Sequence, residues 1–499
     1  MVLLRDVNLA KHCETGSHDM PVETLQLAVF AAITILIGYL TYRRVSADRI
    51  AHGRTATARE EVFLAGKGLS WVVVAGSITL TNLSTDQLVG MNGNQMALLV
   101  WWELSAVVGL VILAKVILPV YYRYNCTTTT ELLERRYDDR RIRALIGLLF
   151  LLGNLFIFIP AMLYGGSLFI QTMFNVDIPL MWIAIAFAIV GSAYAVLGGL
   201  RAVAVSDAYS GVLLLSLGIV VVVLSLAAIE FDFSGIPAER LTLLGDSSSP
   251  IPWHTLLTGM IFIQIFYWGT NQTITQRAMA SPTVEEGQKG VLAAAIIRLL
   301  IVPPMVVIPG IVSYKLYGDI GDAAFGTIVG DVLPLWLSGA FAAAIAAAVL
   351  TSVNSVLNSS TTLWVCDIHE PFINEHADLR RLNFIITVTF VLIGLAMVPI
   401  YATADSIINL VQELYGLLSM PILSAFIVGL LFRGVAAGAA ITAVVLGVVL
   451  YGFFSFVWSP LHYIHMMFFT VMFCVVTALV VSKVVFGTSP TFEPAITLR

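Results

Sequence analysis

The sequence predicts an all-α protein that crosses a lipid bilayer many times and collects its polar residues between its helices. Three observations predict it. Of 499 residues, 59% are hydrophobic and only 11% charged, and the mean hydropathy is +0.92, a balance foreign to soluble domains. Apolar stretches of about 20 residues, the length that crosses roughly 30 Å of hydrocarbon, recur along the chain. Inside one of them, Trp71 to Val89, lies a run that lipid would reject, Thr81-Asn82-Leu83-Ser84-Thr85-Asp86-Gln87, and Glu103 opens the next. Polar groups at that depth face protein, water or a ligand.

Thirteen stretches fit a span: residues 24–42, 71–91, 97–122, 144–172, 178–198, 203–229, 252–275, 291–316, 333–366, 383–402, 405–432, 434–458 and 461–482. The positive-inside rule orients them. With the N-terminus outside, 20 of the 26 Lys and Arg residues fall in inside segments, against four outside (Arg5, Lys11, Arg240 and Lys315). Lys115 and Arg298 lie within spans; Lys115 is too far along its helix to reach Glu103 and is expected to snorkel toward the cytoplasmic interface.

Several classes are excluded. The first 22 residues have no apolar core of a signal peptide, and Met20 is an alternative start. The four cysteines, Cys13, Cys126, Cys366 and Cys474, are scattered without CxxC spacing, so neither a disulfide framework nor a zinc site is expected. A net charge of −5 with no basic-aromatic stripe gives no nucleic-acid partner. HExxH, GxSxG and paired carboxylates with a poised base are absent, so no enzyme is expected. The connections are too short for a soluble domain, which leaves function between the helices: a transporter, a pore or a receptor in a lipid bilayer.

Asn82 and Gln87 donate and accept hydrogen bonds and Glu103 accepts strongly, a lining suited to a polyhydroxylated solute. The alternative for each is interhelical glue. A second polar cluster, Gln264 to Gln272, interrupts another span at Gly269. The two interrupted spans stand five apart, the pattern of an inverted-repeat secondary transporter, because an odd number of spans per repeat forces the inversion. The first interruption contains no Gly or Pro and is inferred from polarity alone. A third feature is Ala348, Thr351, Ser352 and Ser355, which share one helical face. Their oxygens, with carbonyls freed near Leu80 and Leu83, suit a hard cation such as Na⁺, although a stripe of small residues alone is usually close helix packing.

These residues carry a resemblance to the sodium/solute symporter family, in its sodium/glucose cotransporter-like, bacterial-type branch, from about Phe63 to Arg433. It rests on Phe63-Leu64-Ala65-Gly66-Lys67, the Thr81–Met91 run, Gly198-Gly199-Leu200-Arg201-Ala202-Val203 with Asp207, and Phe266-Tyr267-Trp268 with Asn271-Gln272 and Gln276-Arg277. It continues through Gln288-Lys289-Gly290, Leu357-Asn358-Ser359 and Gln412-Glu413. The resemblance implies a leucine-transporter-like fold of two inverted five-helix repeats. The expected parts are an extracellular segment 1–22, a leading span 23–43, repeats 71–230 and 252–433, two C-terminal spans within 434–486, and a cytoplasmic tail 487–499.

By position, the resemblance implies a sugar site of Asn82, Gln87, Glu103, Gln264, Arg298 and Gln412. Tyr267 would close its inner side and Met91, Trp102 and Ile408 its outer side. Sodium, the coupling ion, would bind backbone at Leu80, Leu83 and Ala348 and the hydroxyls of Thr351 and Ser352. Asp207, with Thr351 and Ser355, would form a second cation site or an exit path; paired with Arg201, it would instead be structural. Gln264 and Arg298 stand where sugar-transporting relatives carry Asn and Lys, and Ile408 where an aromatic is common. Arg298 either admits an acidic sugar or neutralises Glu103 or Glu413. The expected activity is sodium-coupled sugar import across the plasma (cell inner) membrane. The alternatives are a symporter of inositol, an acidic sugar or a small carboxylate, and a solute-sensing receptor that does not transport.

Overall fold

The structure, a computed structural model, describes residues 22–52, 63–375 and 378–495. The expected extracellular segment, apart from Val22, and the alternative start at Met20 lie outside the described residues. Apart from a two-residue antiparallel pairing of Phe432–Arg433 with Thr491–Phe492, the architecture is helical. Among the described residues, ten helices are long and apolar enough to cross a bilayer, and Trp71–Asn82, Leu180–Ser192 and Gly259–Gly269 are shorter apolar helices. The expected stretches fall on these helices, of which ten rather than thirteen have the length and apolarity of a span.

The helices pack around one hydrophobic core that draws on nearly every element, while large apolar side chains such as Ile35, Trp182, Ile189, Leu392 and Val449 point outward, as lipid-facing surfaces require. Exposed Trp182, Trp253, Trp336 and Trp458 all sit at span ends that the charge distribution assigns outside, the position of an aromatic belt. Small residues set the closest contacts. A Cβ on Gly109 would lie 2.4 Å from the Gln264 carbonyl oxygen, so helices Trp101–Ile112 and Gly259–Gly269 meet backbone to side chain only because position 109 carries none.

Two spans are broken at mid-course. The first is a helix Trp71–Asn82 followed by a second, Thr85–Gly93; Leu83 leaves helical geometry at ψ 58°. The second break separates Gly259–Gly269 from Gln272–Met279, where the Asn271 side chain accepts the Thr273 amide as an N-cap. Breaking a helix strands carbonyls that would otherwise accept from the next turn; here the last four are those of Thr79 to Asn82, of which Thr79 accepts the Leu83 amide and Asn82 the Ser84 hydroxyl.

Between residues 178 and 229 the two expected spans fall on the apolar lengths Leu180–Ser192 and Leu200–Ala228, within a helical run of 49 residues, Leu180–Ala228. Straight, it would run about 74 Å at 1.5 Å per residue, more than twice the hydrocarbon. Gly191 lies against Leu350 and Val353, and Asp207 pairs with Arg277, which also bonds Ser355, so both halves approach the same turns of helix Leu335–Leu363 and the path doubles back. The expected tail is also anchored: the Glu493 and Ala495 amides donate to the carbonyls of Leu431 and Leu430 at 2.9 and 2.8 Å.

Candidate functional site

The two breaks and helix Leu335–Leu363 bring most of the expected residues into two clusters; Gln412 makes no hydrogen bond to either among the described residues. In the first, Glu103 and Arg298 are both fully buried and form an ion pair at 2.5 Å. The Gln87 amide donates to the other Glu103 oxygen, and Arg298 also reaches Gln87 Oε1 and the Thr79 carbonyl at 3.4 Å. Of the two carboxylates open to Arg298 in the sequence, Glu103 is the partner and Glu413 is not. The guanidinium lies 5.0 Å from the centre of the Trp268 ring, a cation–π contact. Trp268 Nε1–H in turn donates to Gln264 Oε1 at 2.9 Å, and the Gln264 amide is spent on the Trp102 carbonyl and Ser105 Oγ.

Asn82 enters the same network from its other end, donating to Tyr267 Oη at 2.8 Å, with Tyr267 edge-on to Trp268 at 5.1 Å. Asn82, Tyr267 and Gln412 are half-buried, whereas Gln87, Glu103, Gln264 and Arg298 are buried. Tyr415, one turn beyond Gln412, packs edge-on against Phe158 and Phe266 and accepts from the Asn271 amide at 2.8 Å. Sequence reasoning missed Tyr415; its i+3 spacing from Gln412 on one helical face was the available signal.

Met91, Trp102 and Ile408 are buried, and a Cβ on Gly90 would meet Ile407 and Ile408 at 2.6 and 2.9 Å. One turn farther out, the Asp322 carboxylate accepts the Ile407 amide at 2.9 Å, at the start of helix Ile407–Leu431, and presses on Gly93. Burial pushes the Asp322 carboxyl up to about 7, against the opposing pull of that amide. Above it, Arg240 pairs with Asp319 at 2.8 Å, stacks 3.9 Å over Tyr314 and donates to the Asn94 carbonyl.

The second cluster is built on hydroxyls. Helix Trp71–Asn82 packs against helix Leu335–Leu363. Thr351 Oγ1 donates to the Ala348 carbonyl at 3.3 Å, and Ser352 Oγ is fully buried without a hydrogen-bond partner among the described residues. Leu80 lies in the last turn of helix Trp71–Asn82 and Leu83 just beyond it. A buried hydroxyl with no bond among the described residues, on a helix that packs against the broken one, offers a hard oxygen of the kind a small hard cation takes.

Asp207 lies next to this set but not as expected. Its partner is Arg277, at 3.6 Å with both groups fully buried, whereas Arg201 donates to the Ala65 carbonyl at 2.5 Å. Asp207 also accepts from Ser77 at 2.6 Å and Thr81 at 3.4 Å. Arg277 donates to Ser77 Oγ at 2.8 Å, to Ser355 Oγ and to the Thr273 carbonyl. Asp207, Thr351 and Ser355 are thus together, with a guanidinium among them. Ser77 and Thr81, four apart on one face, were the missed signal for this contact.

Comparison with known proteins agrees with this architecture. A profile of the sodium:solute symporter family matches residues 62–447. The chain is 34% identical over 461 residues to the uncharacterized symporter YidK of Escherichia coli (strain K12), covering 86% of this chain and 78% of that one. It is 28% identical over 493 residues to the sodium/glucose cotransporter of Vibrio parahaemolyticus, covering 91% and 89%. Among solved structures, a Na⁺-coupled sialic acid symporter in a substrate-bound outward-open state superposes with a TM-score of 0.78 at 16% identity, over 96% of this chain and 99% of that one.

Proposed function

Because the chain belongs to the sodium:solute symporter family, and is therefore a multi-pass membrane transporter rather than an enzyme, we propose that it imports a sugar or similar polyhydroxylated solute with sodium by alternating access. The membrane is the plasma (cell inner) membrane. The Asn82, Gln87, Glu103, Gln264, Arg298 and Gln412 side chains hold the solute. Amides, a carboxylate and a guanidinium offer donors and acceptors in the mixed pattern that hydroxyl groups need. Tyr267 closes the inner side through its bond to Asn82, and Met91, Trp102 and Ile408 close the outer side.

The observation that carries the sodium half is Ser352, a buried hydroxyl left unbonded among the described residues, one turn from Ala348 on a helix that packs against the broken Trp71–Asn82. Sodium bound by Leu80, Leu83, Ala348, Thr351 and Ser352 ties the first broken span to helix Leu335–Leu363. Its affinity differs between the outward and inward arrangements because those two elements move relative to one another, and that difference is the coupling free energy. Asp207, Thr351 and Ser355 are the second cation position or the exit path, reached when Arg277 withdraws. The order of parts follows: a leading span 23–43, repeats 71–230 and 252–433, and two spans within 434–486.

Proteoliposomes test the proposal directly. A labelled hexose should accumulate above its external concentration only under an inward Na⁺ gradient, and a panel of inositol, acidic sugars and small carboxylates identifies the preferred solute by competition. Equilibration without accumulation, or uptake indifferent to Na⁺, contradicts it.

A further inference from the structure

The solute site contains one fixed positive charge, and it is already matched. A guanidinium buried this deeply needs an anionic partner. Glu103 is that partner, at 2.5 Å with both groups fully buried, and Gln87 braces the carboxylate from the far side. The other charges near this cluster are committed elsewhere. Asp86 is bonded to Ser84 on its own half-helix, Asp207 and Arg277 face each other, and Glu413 lies half-buried on helix Ile407–Leu431. A solute carboxylate that took Arg298 would strand Glu103 in the interior without a cation. An uncharged polyol has no such conflict: it can accept from Arg298 Nε, which is buried and unbonded among the described residues, and donate to Glu103 and Gln87.

We propose that Glu103 sets the charge selectivity of transport: by holding Arg298 in a closed ion pair, it restricts the site to uncharged solutes and rejects their acids. The inference rests on the reading that these residues line the solute site, and it deepens that reading by excluding the acidic sugars. An uncompensated buried carboxylate is costly enough to weaken binding of an acid by about 100-fold or more relative to its neutral counterpart.

The test uses the full-length protein at saturating Na⁺, with matched neutral and acidic solutes: glucose and glucuronate, galactose and galacturonate, glucitol and gluconate, glycerol and glycerate. Affinity is read from solute-dependent thermal stabilisation. In the wild type, the neutral member of any pair that binds should bind at least about 100-fold more tightly than the acid. In Glu103→Gln, the acid of that pair should gain about tenfold or more as Arg298 becomes free. The double variant E103Q/R298Q should lose the gain while still melting cooperatively. Equal wild-type affinity for acid and neutral member overturns the proposal, as does an E103Q protein that melts cooperatively yet gains nothing for the acid. If glycerol binds and no sugar does, the sugar reading fails while the charge rule stands.

Discussion

Ser352 and Arg277 show how far single residues are readable. The Ser352 hydroxyl is buried and unbonded among the described residues, and replacing it by alanine removes one oxygen from the proposed sodium site. Ser352→Ala is expected to raise the sodium concentration for half-maximal uptake by about 10-fold or more, taking a bond to a charged group as worth ~1.5–3 kcal/mol; sodium titration of uptake checks it, and an unchanged requirement counts against the site. The hydroxyl face was legible because Ala348, Thr351, Ser352 and Ser355 repeat at helical spacing in an apolar stretch. The pairing of Arg298 with Glu103 was legible as one of two options, since buried charges need partners and only two carboxylates were in reach. Arg277 was not: charge gives no direction, Arg201 stood nearer to Asp207 along the chain, and only the fold brings the second broken span to Ser77 and Asp207.

The broken helices, as elements, were visible because polar side chains cannot face lipid, and the first break falls within the Thr81–Gln87 run although no Gly or Pro marks it. The doubled-back stretch Leu180–Ala228 was not visible as one element, because two apolar lengths joined by Gly198-Gly199 read as two helices. Outer closure makes a pH prediction. Closed, Asp322 holds its proton up to about pH 7; exposed by opening, it would titrate near its ordinary value of ~4. The closed form therefore binds the extra proton between these values, so acid favours outer closure and alkali favours opening. External labelling of a cysteine placed below the gate should fall as external pH drops from about 7 toward 5, and Asp322→Asn should flatten that dependence; an unaltered slope would exclude Asp322. On the opposite face, Arg143 joins buried Asp367 at 2.7 Å and Glu134 at 2.6 Å, tying helix Arg140–Gly153 to the end of the hydroxyl helix. Arg143→Met leaves Asp367 buried and unpaired and should cost about 3–5 kcal/mol, read as a large drop in melting temperature that Asp367→Asn in the same protein partly restores.

Across the whole molecule, coupling is a matter of energy available against energy needed. One Na⁺ moving down 100 mV and a tenfold gradient supplies about 2.3 plus 1.4 kcal/mol, enough for roughly 500-fold accumulation of a neutral solute, and two ions would square it. The charge rule at Glu103 fits this economy, since a neutral solute leaves the electrical drive to the ion alone. Such coupling requires that sodium and solute strengthen each other's binding by the same factor. The decisive measurement is therefore the solute affinity of the purified protein with Na⁺ absent and saturating, alongside sodium affinity with and without solute. Na⁺ should raise solute affinity by about tenfold or more, solute should raise sodium affinity equally, and Ser352→Ala should shrink both effects together. A solute affinity that is the same with and without Na⁺ would contradict this coupling.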